Sequence, residues 1–143
     1  MSGREDAIIA LSGLLQTAYP WNSAPSRRLK LWSDVPQNRR PALFVFEGGR
    51  EQYNYSGVNC KRTIEIRLFI YTNAHDSDGS IDLNNIMDAI DSALQPVGAD
   101  IQTGRQTLGG IVHHCRVEGE VFKDPGDLDG DGLLIIPIQI LLP

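Results

Sequence analysis

The chain has 143 residues, 41% of them apolar and 22% charged, with two cysteines and a net charge of −5 at pH 7. That length predicts one domain over 1–143, able to bury a core without staples, and Cys60 and Cys115 make no disulfide framework, so they are read as reduced thiols. The acidic balance argues against a general DNA binder, because affinity for phosphate is built from clustered cations.

In chain order, the first predicted element is a helix over 4–19. Ile8, Leu11, Leu15 and Ala18 fall on one stripe, Glu5 and Asp6 sit in the first turn where they favour the positive end of the helix dipole, and Pro20 stops it. Arg4 and the two acids after it, followed by helical spacing of the apolar residues, exclude a signal peptide. Residues 21–28 read as loop by composition. A short strand is predicted over 29–33, with Leu29 and Leu31 on one side. A second follows over 42–47, apolar on both faces and so interior. The stretch 48–60 is glycine-rich and polar and predicts a long loop that forms the tip of an extended hairpin; such tips are usually functional or contact a partner. The strand over 61–72 alternates Ile64, Ile66, Leu68 and Ile70 with Glu65, Arg67, Phe69 and Tyr71, the period of a strand with one face on a core, and its length suits a central strand. Phe69 and Tyr71 predict that its second face is also covered at one end.

After a turn-rich link over 73–79, Ser80 or Asp82 can cap a helix to about Leu94, with Leu83, Ile86, Met87, Ile90 and Leu94 inward. Residues 99–110 read as loop with a weak element near Ile101. Two final strands, 112–122 and 133–142, form a hairpin through 123–132. Pro137 lacks a ladder donor, which predicts an edge or bulged position for the last strand. That strand is also too short to span a bilayer, so no membrane association is expected. The order α-β-β-β-α-β-β gives an α+β domain, a largely antiparallel mixed sheet with two helices packed on one face.

The motifs weigh against chemistry. The run Asp127-Leu128-Asp129-Gly130-Asp131-Gly132 resembles a calcium loop, but the position where an EF-hand needs a bidentate glutamate is Ile138, and no helices flank it; aspartate and glycine suit a hairpin turn. Residues 104–110 have the glycine spacing of a phosphate loop without its Lys and Ser/Thr. On a strand, His113 and Cys115 share a face while His114 points away, too few ligands for zinc, and His75 stands alone. No serine or cysteine shows a nucleophile pattern, and Glu118 and Glu120 read as solvated strand carboxylates. No enzyme, cofactor or metal is expected. Charge is uneven: residues 1–67 carry ten Lys and Arg against six acids, +4, and residues 68–143 three against twelve, −9. This fits one face meeting another, and the loop pairs Arg27-Arg28 and Arg39-Arg40 are placed at an interface edge.

Four segments carry a resemblance: 29–36 (Leu-Lys-Leu-Trp-Ser-Asp-Val-Pro), 41–47 (Pro-Ala-Leu-Phe-Val-Phe-Glu), 105–110 (Arg-Gln-Thr-Leu-Gly-Gly) and 118–127 (Glu-Gly-Glu-Val-Phe-Lys-Asp-Pro-Gly-Asp). In these, and in length and element order, the chain resembles small tail proteins of long-tailed bacteriophages and prophages, in particular tail terminators, the minor tail or tail-completion proteins. The resemblance implies a hexameric ring, assembled in the bacterial host cytoplasm and located in the virion, that caps the tail tube, ends tube growth and offers its other face to the head-side connector or stopper, with DNA only passing through the lumen. A ring needs one patch to meet a different patch on the next subunit. The expected contacts are Arg27, Arg28, Arg39 and Arg40 against Asp127, Asp129 and Asp131 of a neighbour, with Tyr53 and Tyr55 anchoring the 48–60 tip on the tube or the next subunit. Two alternatives stand beside this: a head-tail neck protein of the same particle, and a small α+β ligand- or metal-binding module using His113 and Cys115.

Overall fold

A two-stranded ladder forms the spine of the fold. Strand β3 (Asn59–Asn73) and strand β6 (Asp131–Leu141) pair antiparallel from Thr63 opposite Leu141 to Asn73 opposite Asp131. The computed structural model describes residues 3–73, 79–126, 128 and 131–143. On the far side of β3 lie β1 (Ala42–Phe46) and β2 (Glu51–Ser56), and on the far side of β6 lie β4 (His114–Val117) and β5 (Phe122–Asp124), completing a six-stranded antiparallel sheet.

Both edges are interrupted in the same way. Phe46 faces Arg67 and Glu51 faces Ile64, five steps along the edge against three along β3. Val117 faces Ile138 and Phe122 faces Ile135, again five against three. Each edge therefore carries two extra residues, and the two bulges, opposite 64–67 of β3 and 135–138 of β6, are offset by two residues and overlap at the rungs Ile66–Ile138 and Arg67–Pro137. Such insertions bend an edge strand and raise its twist. At the first, Glu65 donates its N–H to the Arg50 carbonyl at 2.7 Å, and a Cβ on Gly49 would lie 2.5 Å from the Glu65 oxygen. Only a glycine lets the backbones come so close.

One face of the sheet is sealed by helices α1 (Arg4–Gln16) and α2 (Gly79–Ala93). Ala7, Ile8, Leu11 and Leu15 of α1, and Leu83, Ile86 and Ile90 of α2, join the alternate residues of the spine, Ile64 to Ile70 and Leu134 to Ile140, in one buried cluster. The α1 carbonyls at its C-terminal end are met by side chains: Trp21 Nε1 donates to Leu15 and Thr17 Oγ1 to Leu14, so the helix closes at Gln16, ahead of the 19 expected. The second face is covered only over its upper half, where Val35 and half-buried Leu29 pack on Ala42, Phe44, Phe69, Tyr71 and Leu133. The Tyr71 hydroxyl donates to the Lys30 carbonyl at 2.6 Å, and burial raises its pKa.

The two-helix, antiparallel α+β architecture is the one the sequence predicts, and it differs in several details. Residues 29–33 form no strand; they belong to a strap with 3-10 turns at Trp32–Asp34 and Gln37–Arg39, and Leu31 faces solvent. The strand site beside β1 is taken by Ser26, which bonds Leu43 and Val45, so β1 is an edge strand of the ladder shielded by the 22–26 segment. The expected loop over 48–60 contains β2. The expected strand over 112–122 is two strands with a bulge at Gly119. Last, β6 is interior, yet Pro137 is tolerated: its carbonyl accepts from Glu118, so the side where its N–H is missing faces the bulge. The link over 74–78 lies outside the described residues.

Gly49→Ala tests the close crossing. The added Cβ meets backbone, so destabilisation of about 1–3 kcal/mol is expected, read as a lower Tm, whereas Gly13→Ala, with open space around its Cβ, leaves Tm unchanged or higher.

Candidate functional site

The arginines placed at an interface separate into two kinds. Arg40 is 5% exposed. Its guanidinium reaches the Asp131 carboxylate at 2.5 Å, Asn73 Oδ1 at 3.4 Å and the Val35 carbonyl at 3.2 Å, and Asn22 bonds its carbonyl. It ties the strap to the ends of β3 and β6. The contact expected between Arg40 and Asp131 of two subunits is thus formed within one chain, because the strap folds back over the sheet end. Arg27 is likewise engaged, gripping Glu47 at 2.7 Å and Glu5 at 2.5 Å, and the hydrogen bond from Arg27 holds the Glu5 carboxyl below its ordinary pKa. Arg28 and Arg39 are exposed on the same strap. Asp127 and Asp129 lie outside the described residues, as does His75.

Tyr53 and Tyr55 stand on a projecting arm. Strands β2 and β3 are joined by the two-residue turn Gly57-Val58, with Gly57 at φ +63°, the conformation a tight hairpin wants at its first turn position. The β6 ladder stops at Thr63, so residues 59–62 have β2 as their strand partner and carry the arm about 13 Å past the spine at roughly 3.3 Å per residue. Every residue of β2 is exposed, Tyr53 by 50% and Tyr55 by 71%, and Val58 at the turn by 96%. The base of the arm is braced by Arg4, which donates to Glu51 at 2.8 Å and to the Tyr53 hydroxyl at 2.7 Å and lowers the Glu51 pKa. The alternation of 51–56 is polar on both faces, which hid the strand; the two-residue turn flanked by residues in register was the signal available.

Beyond the strap, the lower half of the second sheet face is open. A cleft of about 590 Å³ runs over Glu65, Arg67, Ile135, Pro137 and Gln139, walled by the Gly119 bulge and Phe122. Gln139 and Thr63 continue it toward β4, where Arg105, His113, His114 and Arg116 line its end. Sequence reasoning passed over this face because its residues come from five separate stretches.

Cys115 does not join His113 and His114. Cys115 faces the core, where burial pushes its thiol up to about 12. His114 lies on the open face opposite Leu141, and His113 precedes the strand and bonds Arg105 at 2.7 Å. Among the described residues no three His, Cys, Asp or Glu side chains gather as a metal site, and no helix is long and apolar enough to cross a membrane. No family model and no curated protein matches the chain.

Two outcomes check these placements. Arg40→Met is expected to cost about 3 kcal/mol by removing the buried guanidinium from the Asp131 carboxylate, and Arg40→Met with Asp131→Asn to cost less than the single change, both read by urea unfolding. In native protein, a thiol reagent is expected to label half-buried Cys60 and to reach Cys115 only after unfolding.

Proposed function

We propose that the chain is a structural virion protein of a long-tailed bacteriophage or prophage, a tail terminator whose hexameric ring caps the tail tube, ends its polymerisation and offers a joining surface to the head-side connector. The observation that carries the reading is the β2–β3 arm: a braced hairpin that extends past its own sheet, exposes two tyrosines and a valine, and finds no covering segment in the described chain. Such an arm suits insertion against a neighbour or the tube, and tyrosine offers large contact area at low conformational cost.

Closed rings need different patches on the two sides of a subunit. The fold offers two unlike free edges, β2 beside β3 and β5 beside β6, on opposite sides of the spine, each exposed along its whole length. Arg28 and Arg39 add cations on the strap, facing in this reading the acidic residues of the next subunit, Asp127 and Asp129. DNA crosses the lumen without adhering, in keeping with the surplus of acids over bases, 18 against 13. The reading places the protein in the tail or neck of the virion, assembled in the host cytoplasm.

Imaging particles produced without this protein tests the proposal. Overlong or irregular tubes beside filled, unjoined heads are the expected result. Tails of normal length that lack only the joint would move the protein to the neck, and intact virions would overturn a virion role.

A further inference from the structure

The end of the open face beside β4 concentrates cations in the acidic part of the chain. Residues 68–143 hold three Lys or Arg, and two of them, Arg105 and Arg116, converge with His113 and His114 on one hollow of about 310 Å³. Thr63, Gln139 and Leu141 complete its lining, and no carboxylate lines it. The acids whose charge reaches the hollow are already engaged. Glu118 accepts from Arg116 at 2.5 Å, and both Asp100 oxygens accept from Thr107 at 2.8 to 3.0 Å.

Arg105 is the informative residue. Its NH1 is 2.7 Å from His113 Nε2, and since a guanidinium only donates, that nitrogen accepts, which fixes the neutral His113 tautomer with its proton on Nδ1. Its Nε is sealed from solvent with no acceptor in reach. That nitrogen lies behind the hollow, so the terminal nitrogens are what Arg105 can offer to a ligand, and a guanidinium held there by a histidine, without a carboxylate at ion-pair distance, leaves its charge available to an anion. The electrostatics agree: burial, then repulsion from Arg116 and Arg105, lowers the His114 pKa, and Glu118 opposes.

We infer that this hollow is an oxyanion-binding site, taking a phosphoryl or carboxylate group against Arg105 and Arg116, with the Thr63 hydroxyl and the Gln139 amide as further donors. The inference stands on these residues alone and does not depend on the ring.

The test follows the imidazole resonances of His113 and His114 by NMR while inorganic phosphate, and separately acetate, is added to the full chain at constant ionic strength. A saturable shift is expected, with Arg105→Gln weakening binding about tenfold and Glu118→Gln, which releases Arg116 from its carboxylate, tightening it about threefold. Saturation by phosphate alone assigns a phosphoryl ligand, and saturation by acetate as well assigns a carboxylate. Shifts that stay linear with both anions, or affinities unchanged in both variants, overturn the site. Should Arg105→Gln fail to fold, the Glu118→Gln affinity decides.

Discussion

Everything in this molecule hangs on the unbroken pairing of β3 with β6. Eight aliphatic side chains, Ile64 to Ile70 and Leu134 to Ile140, point to one face of that ladder, each 0 to 6% exposed. Burial of that apolar area is the largest favourable contribution the fold has, at about 25 cal/mol for each Å² removed from water. A shift of register by one residue would turn all of it to the other face, so the pairing is strongly specified. The edges are free to be irregular because the spine is not. Both carry a two-residue bulge, and the interruptions bring Gly49 against the Glu65 backbone and Gly119 against the Pro137 ring.

What could be read from the sequence followed where periodicity was strong. The alternation through Ile64 to Ile70 marked the central strand, and the stripes through Ile8, Leu11 and Leu15 and through Leu83, Ile86 and Ile90 marked both helices. Tyr71 and Phe69 foretold cover on the second face, which the strap supplies. Failures came where a strand had no apolar face to announce it, as in β2, or where a bulge broke the period, as between β4 and β5. Leu29 and Leu31 suggested a strand that does not form, because a pattern of two leucines says nothing of whether a neighbouring edge is vacant. The rule for Pro137 allowed an edge or a bulge, and the bulge opposite it is the alternative that the interior strand takes.

The candidate site was legible only in part. Tyr53 and Tyr55 stand exposed on β2, within the 48–60 stretch that the sequence marks as a projecting tip. Of the arginines, Arg40 and Arg27 are held by the chain's own carboxylates, and spacing alone cannot tell a cation meant for a partner from one that closes a tertiary contact. The cationic hollow draws on residues from 63 to 141, a grouping that exists only once β3, β4 and β6 lie side by side.

The arm grows out of the middle strand of the sheet, not out of a peripheral loop, and this has a mechanical meaning. A pull on its tip along the strand axis loads the rungs between β3 and β6 together, in shear, instead of peeling them one after another from an end. Tension delivered at Tyr55 or Val58 is therefore borne by the most deeply buried ladder in the protein, and the tip behaves as a handle set directly into the spine.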